Sequence, residues 1–244
     1  MSPFTDRAIT EAMRLIAKGL GAGRLQTNAS GLEHIPPQGP ALLVARHYHH
    51  FFDGIALFAS LPRPFHILVT LDWAQSSLVR NVMTPMTRLA RWPVILRADA
   101  LSQLQGRSVF STVDVVRYQR KGLKESVNLL VAGRILVIFP EGYPNIDPHY
   151  TPKTRDEEIL PFKAGFAAIA AAAEKRCGAK TPLIPVGFRY TAGRKWTAHV
   201  SFGAALDGDD FDSREALVKK FERDVARLSD ITLPSERARA GSHD

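Results

Sequence analysis

The chain of 244 residues holds a single cysteine, Cys177, so it has neither an intrachain disulfide framework nor a cysteine-rich zinc site. Such sparing thiol content fits a reducing compartment, and the expected location is the cytoplasm. No run of roughly 18 apolar residues occurs, which leaves no candidate for a transmembrane helix. A basic start followed by an apolar segment and a small-residue cleavage site is also missing, so a cleaved secretory signal is not expected. Helix-turn-helix patterns, zinc-finger spacings and aromatic ribonucleoprotein motifs are absent, and no nucleic-acid partner is expected. Internal repeats, low-complexity tracts and an interdomain linker are missing too, which leaves one continuous core.

What is present has the balance of a soluble globular protein: 45% hydrophobic and 23% charged residues. The 32 Lys and Arg outnumber the 24 Asp and Glu, for a net charge of +8. That excess favours a polyanionic partner, either an anionic membrane surface or a phosphorylated substrate. Residues 1–30 read as an N-terminal amphipathic segment, 31–232 as the main domain and 233–244 as a tail without order. Within the first segment, Ile9, Met13, Ile16 and Leu20 mark one face of a helix over residues 5–20, opened by a Thr5 or Asp6 cap. This helix packs on the core or lies in a membrane interface.

Apolar runs bounded by turn residues predict strands at 41–45, 65–70, 93–96, 134–139, 183–188 and 197–202. Helical periodicity predicts helices at 77–91, 122–132, 162–175 and 214–228. Alternation of the two kinds predicts a mostly parallel central sheet flanked by helices. Residues 144–161, rich in Pro, Asp and Lys, read as a long loop acting as a lid.

Polar residues gather where strands end, and in such sheets the carboxyl ends of strands are where ligands bind. The strand Ala41–Ala45 runs into Arg46-His-Tyr-His-His-Phe-Phe-Asp53, which contains His47, His49, His50 and Asp53. An imidazole backed by a carboxylate can take a proton from a hydroxyl, and either His47 or His49 could be the base. The run 134–139 ends in Phe139-Pro-Glu-Gly142, where the backbone at Gly142 could turn its N–H groups to a phosphate. There Glu141 could orient a substrate hydroxyl or a basic neighbour. Arg97 closes Trp92-Pro-Val-Ile-Leu96 and could clamp a phosphate, with Lys163 and Arg46 adding positive charge nearby. Phe51, Phe52 and Trp73 could face an acyl chain or simply fill the core. His47-Tyr-His49 also resembles the start of the metallo-β-lactamase ligand signature, but Phe51 stands where that signature needs Asp. His66, His149 and His199 would have to complete such a metal site, and no metal is expected.

Taken in order, these blocks resemble the glycerolipid acyltransferases of the lysophosphatidic acid acyltransferase type, over about residues 30–205. Gly31-Leu-Glu-His-Ile-Pro36 and Ala41–Ala45 resemble the lead-in, Arg46 to Gly54 the catalytic block, Pro93 to Arg97 the second, Phe139 to Gly142 the third and Leu183-Ile-Pro-Val186 the fourth. The resemblance implies a glycerol-3-phosphate acyltransferase-like fold and a His-Asp general base acting on a lysophospholipid such as 1-acyl-glycerol-3-phosphate. It implies acyl-CoA or acyl carrier protein as co-substrate, no cofactor and a peripheral place on the membrane. Two departures stand out. Five residues separate His47 from Asp53 and three separate His49 from it, where the family has four, so Tyr48 occupies the family's position for the base. Tyr143-Pro-Asn145 also replaces the small hydroxyl residue and arginine usual after Glu-Gly.

Overall fold

The computed structural model describes residues 3–104, 106–148 and 150–233, with side chains from residue 7 onward. The expected cap at Thr5 or Asp6, His149 and residues 234–244 of the expected tail lie outside the described side chains or residues.

A six-stranded sheet forms the centre. Its strands are β1 (Leu25–Ser30), β2 (Ala41–Ala45), β3 (Phe65–Ile67), β6 (Ile135–Ile138), β7 (Leu183–Thr191) and β8 (Trp196–Phe202). Their order is β1-β8-β7-β2-β6-β3, and every neighbouring pair is parallel except β7 with β8. Two further strands, β4 (Val69–Thr70) and β5 (Val94–Ile95), pair only with each other. The helices are α1 (Pro3–Gly21), α2 (Phe52–Ser60), α3 (Ser77–Leu89), α4 (Ala98–Gln103), α5 (Thr112–Val131), α6 (Gly165–Cys177) and α7 (Arg214–Leu228).

The period of two along a strand divides the core. Ala41, Leu43 and Ala45 of β2, with Ile135 and Val137 of β6, face a cluster built with α1 and α2. Leu42 and Val44, with Leu136 and Ile138, face the opposite cluster built with α5, α6 and α7. Both central strands are therefore apolar throughout, as strands covered on both faces must be. A third, smaller cluster of Leu71, Ala74, Leu96, Leu101, Phe110 and Val115 ties β4, β5, α4 and the start of α5 into a unit beside the sheet.

Several expectations change. The segment 1–30 is not helical throughout, because Leu25–Ser30 is an edge strand paired with β8. Its helix begins at Pro3 and turns Thr10, Ala17 and Gly21 inward, while Ile16 and Leu20 of the expected stripe stay exposed. The run 65–70 is two strands in different sheets, since the chain leaves β6 after Leu68. Helix α5 starts ten residues before Gly122, at a capping box of Ser111 and Asp114. Gly122 lies inside it because a Cβ there would meet Val94 O at 2.7 Å, so glycine lets the helix touch β5. Helix α6 opens at Gly165, later than the expected 162, and α4 was not expected at all.

Candidate active site

Four chemically distinctive side chains sit just beyond the carboxyl ends of strands. His47 follows β2, Glu141 follows β6, Asp72 follows β4 and Arg97 follows β5. Glu141 accepts the His47 N–H, and Arg97 bridges Asp72 and Gly142 O, so the four belong to one connected site.

His47 Nδ1 lies 2.8 Å from Asp53 Oδ2. A carboxylate only accepts, so the proton sits on Nδ1 and the lone pair of Nε2 faces outward. Nε2 has no hydrogen-bond partner among the described residues, and the side chain is 18% exposed. Phe139 stacks on the ring at 4.3 Å and fixes its plane.

Asp53 occupies the first turn of α2 and is 1% exposed. Its oxygens also accept the backbone N–H groups of Tyr48 at 2.8 Å and His49 at 3.1 Å, and the Tyr190 hydroxyl at 2.7 Å. The extra residue in the spacing is thereby absorbed: the turn at 48–51 folds its peptide N–H groups around the carboxylate. Burial, and then the facing Asp53 charge, push the Tyr190 phenol well above its ordinary pKa, so it remains a donor.

His49 does not share this role. Its Nδ1 accepts N–H groups of Phe51 at 3.2 Å and Phe52 at 3.3 Å, capping the start of α2, and its ring stacks on Phe52. Burial, and then His50, lower its pKa, which keeps Nδ1 an acceptor.

Glu141 meets a basic neighbour, one of the two partners expected for it. One oxygen accepts His47 N–H at 2.8 Å; the other accepts Leu160 N–H at 2.9 Å and an ion pair from Lys153 at 2.6 Å. Lys153, which sequence reasoning passed over, spends its remaining donors on His47 O at 2.9 Å and Asn145 Oδ1 at 3.1 Å. Burial lowers its pKa, opposed by Glu141. Asn145 Nδ2 in turn reaches the carbonyl of Arg155 at 2.8 Å, and Ile146 exchanges backbone bonds with Tyr48 and His50. The loop 144–161 is therefore a strap fixed to the histidine turn, not the open lid that its composition suggested.

The phosphate assignments also shift. The Gly142 N–H is already given to Phe139 O at 3.0 Å, within a turn made possible by its φ of 78°. Arg97 is not free: Nε and Nη2 reach the two oxygens of buried Asp72 at 2.8 and 2.6 Å, and Nη1 donates to Gly142 O. Burial opposes its charge, but the Asp72 bonds outweigh that and raise its pKa. Its guanidinium lies 4.1 Å above the Tyr143 ring, and two of its five N–H groups are uncommitted among the described residues. Lys163 is an exposed cation beside the site: 58% exposed, 3.8 Å from Asp99 and near Gly142. Burial works against the Asp99 charge, yet the Tyr143 hydroxyl and Lys163 together hold Asp99 below the usual carboxylate range. Arg46 points away from the mouth, to the carbonyls of Phe188 at 2.9 Å and Asp156. Burial lowers its pKa despite Glu141 and Asp53 nearby.

Phe52 is core, and Trp73 bonds Thr70 O and packs in the third cluster; Phe51 alone of the three is exposed. Among the described residues no three His, Cys, Asp or Glu side chains converge as a metal-binding group. Sequence reasoning missed Tyr190, Asp72 and Lys153. Of these only Asp72 had a local signal, as an acid directly after an apolar run.

The acyltransferase family model matches residues 26–189. In fold the chain is similar to the 1-acyl-sn-glycerophosphate (LPA) acyltransferase PlsC from Thermotoga maritima, with a TM-score of 0.59 and 16% identity over 92% of this chain and 80% of that one. No curated protein sequence matches it. With the family pattern running from β1 into β7 and enclosing His47, Asp53, Arg97 and Glu141, the chain belongs to the acyltransferase family.

Proposed function

We propose that the protein moves a fatty acyl group from a thioester, acyl-CoA or acyl carrier protein, to a hydroxyl of a lysophospholipid such as 1-acyl-glycerol-3-phosphate, in phospholipid synthesis or remodelling. The observation that carries this reading is the His47–Asp53 pair, with Nδ1 held by the carboxylate and Nε2 open.

In the proposed step Nε2 takes the proton of the acceptor hydroxyl as its oxygen attacks the thioester carbonyl. Asp53 stabilises the imidazolium that forms, and Tyr190 and two peptide N–H groups keep that carboxylate in place. The tetrahedral intermediate then breaks its C–S bond, and the imidazolium returns the proton to the departing thiolate. No covalent acyl-enzyme is needed. Lys163 and the two uncommitted N–H groups of Arg97 would hold the acceptor phosphate, which places its hydroxyl at Nε2. Glu141 and Lys153 act one layer behind, fixing the His47 backbone.

Attachment to membranes in this reading is peripheral and weakened by salt. The net charge of +8 supports it, and no helix among the described residues is long and apolar enough to cross a membrane. The test is a panel of lysophospholipids and acyl donors, with released thiol and product masses measured. His47→Ala should abolish turnover with an unchanged circular dichroism spectrum; turnover equal to that of the unsubstituted protein would remove His47 as the base.

A further inference from the structure

Helix α3 carries four large apolar side chains on the outside. Leu78, Val82, Met86 and Leu89 follow one another at intervals of four, four and three residues, which is one face of a helix. Their exposure runs from 50% at Val82 to 74% at Leu78. The opposite face packs through the partly buried Val79 and Met83 and the buried Thr87. Beside α3, across a groove lined by Arg80, Pro85 and Arg117, the start of α5 presents Val113, which is 85% exposed, and Val116. An exposed apolar stripe of four residues on one helix is seldom left to water.

Charge identifies what covers it. Helices α3 and α5 contain Arg80, Arg88, Arg117, Arg120, Lys121 and Lys124 but only two acids, Asp114 and Glu125, and α3 has no acid at all. A second copy of this chain would bring these cations against one another. An anionic bilayer supplies headgroup charge for the cations and an apolar layer beneath for the stripe.

We propose that the outer face of α3, with the first half of α5, is the surface by which the protein docks on an anionic phospholipid bilayer. The inference deepens the peripheral lipid-enzyme reading above and rests on it. The docking unit is the one that delivers Asp72 and Arg97: α3 follows β4 and Asp72, and Leu96, beside Arg97, shares a cluster with Val115 of α5. A bilayer held there would present its lipids close to Arg97 and Lys163.

Vesicle flotation tests this, with phosphatidylcholine alone and mixed with phosphatidylglycerol. The unsubstituted protein should float with the mixed vesicles and less with phosphatidylcholine. Leu78→Glu/Leu89→Glu, which alters only exposed side chains, should keep its Tm and lower the fraction bound to mixed vesicles by roughly tenfold or more. Arg120→Glu/Lys124→Glu should weaken binding to mixed vesicles while leaving phosphatidylcholine binding unchanged. Unaltered flotation of the α3 variant, with loss instead in Leu15→Glu/Leu20→Glu on α1, would overturn the proposal. So would a lipid-free dimer that the α3 substitutions abolish, since the face would then belong to a second copy. Turnover of a short-chain, water-dispersed acceptor should be equal in the α3 variant and the unsubstituted protein. If neither turns over any acceptor while the flotation difference holds, the enzymatic reading fails and the docking face stands.

Discussion

Lys153 Nζ lies 2.6 Å from Glu141 Oε2, and neither side chain is reached by solvent. The pair links the strap 144–161 to the end of β6, and through His47 N–H and O it grips both sides of the histidine turn. An ion pair this deep gains little over an apolar substitute, yet breaking it leaves an uncompensated charge.

Lys153→Met should therefore destabilise the protein by about 3–5 kcal/mol in urea unfolding, because Glu141 loses its cation in a sealed site. Lys153→Met/Glu141→Gln should recover part of that loss. No recovery in the double variant would mean that the cost comes from lost packing, not from an unpaired charge.

Asp53→Asn offers a smaller change with a larger catalytic effect. An amide nitrogen facing Nδ1 cannot accept its proton, so the imidazole turns or changes tautomer and Nε2 ceases to be the base. Under the proposed mechanism kcat should fall by roughly two to four orders of magnitude while acceptor KM changes little. A KM effect alone would place Asp53 in binding.

Arg97 and Lys163 should separate when each is replaced by Ala. Arg97→Ala strands the buried Asp72, so it should lower stability as well as acceptor binding. Lys163→Ala removes an exposed cation and should leave Tm unchanged while raising KM for a phosphate-bearing acceptor by roughly tenfold. An equal rise in donor KM would take Lys163 out of the acceptor site.

His49 predicts an acid limb in stability. Its folded pKa lies below the ordinary 6.5, because burial and the two N–H groups it accepts disfavour protonation. Above 6.5 both states are largely neutral and nothing is lost. As pH falls below it the unfolded chain takes up the proton first, so stability declines. Urea midpoints at pH 5, 6 and 7 should show this decline in the unsubstituted protein and a shallower one in His49→Asn. Parallel profiles would assign the acid limb to other groups.

Local pattern carried much of the frame. The apolar runs of β2, β6 and β7 and the period of α7 follow from neighbouring residues, and so does the delivery of His47 and Glu141 to strand ends. Strand β1, Leu-Gln-Thr-Asn-Ala-Ser, escaped notice because an exposed edge strand has no apolar alternation to reveal it. Gly122 misled for a related cause: in isolation it reads as a helix boundary, and only contact with β5 explains a glycine inside α5.

Order along the chain sufficed to bring an imidazole, a carboxylate, a guanidinium and a glycine turn to the carboxyl ends of strands. It could not say which histidine meets Asp53, that Glu141 faces Lys153, or that Arg97 spends its fork on Asp72, 25 residues earlier. Those choices belong to the folded molecule, because a buried charge takes whichever partner the packing of distant segments brings within hydrogen-bond reach, and no local spacing encodes that distance.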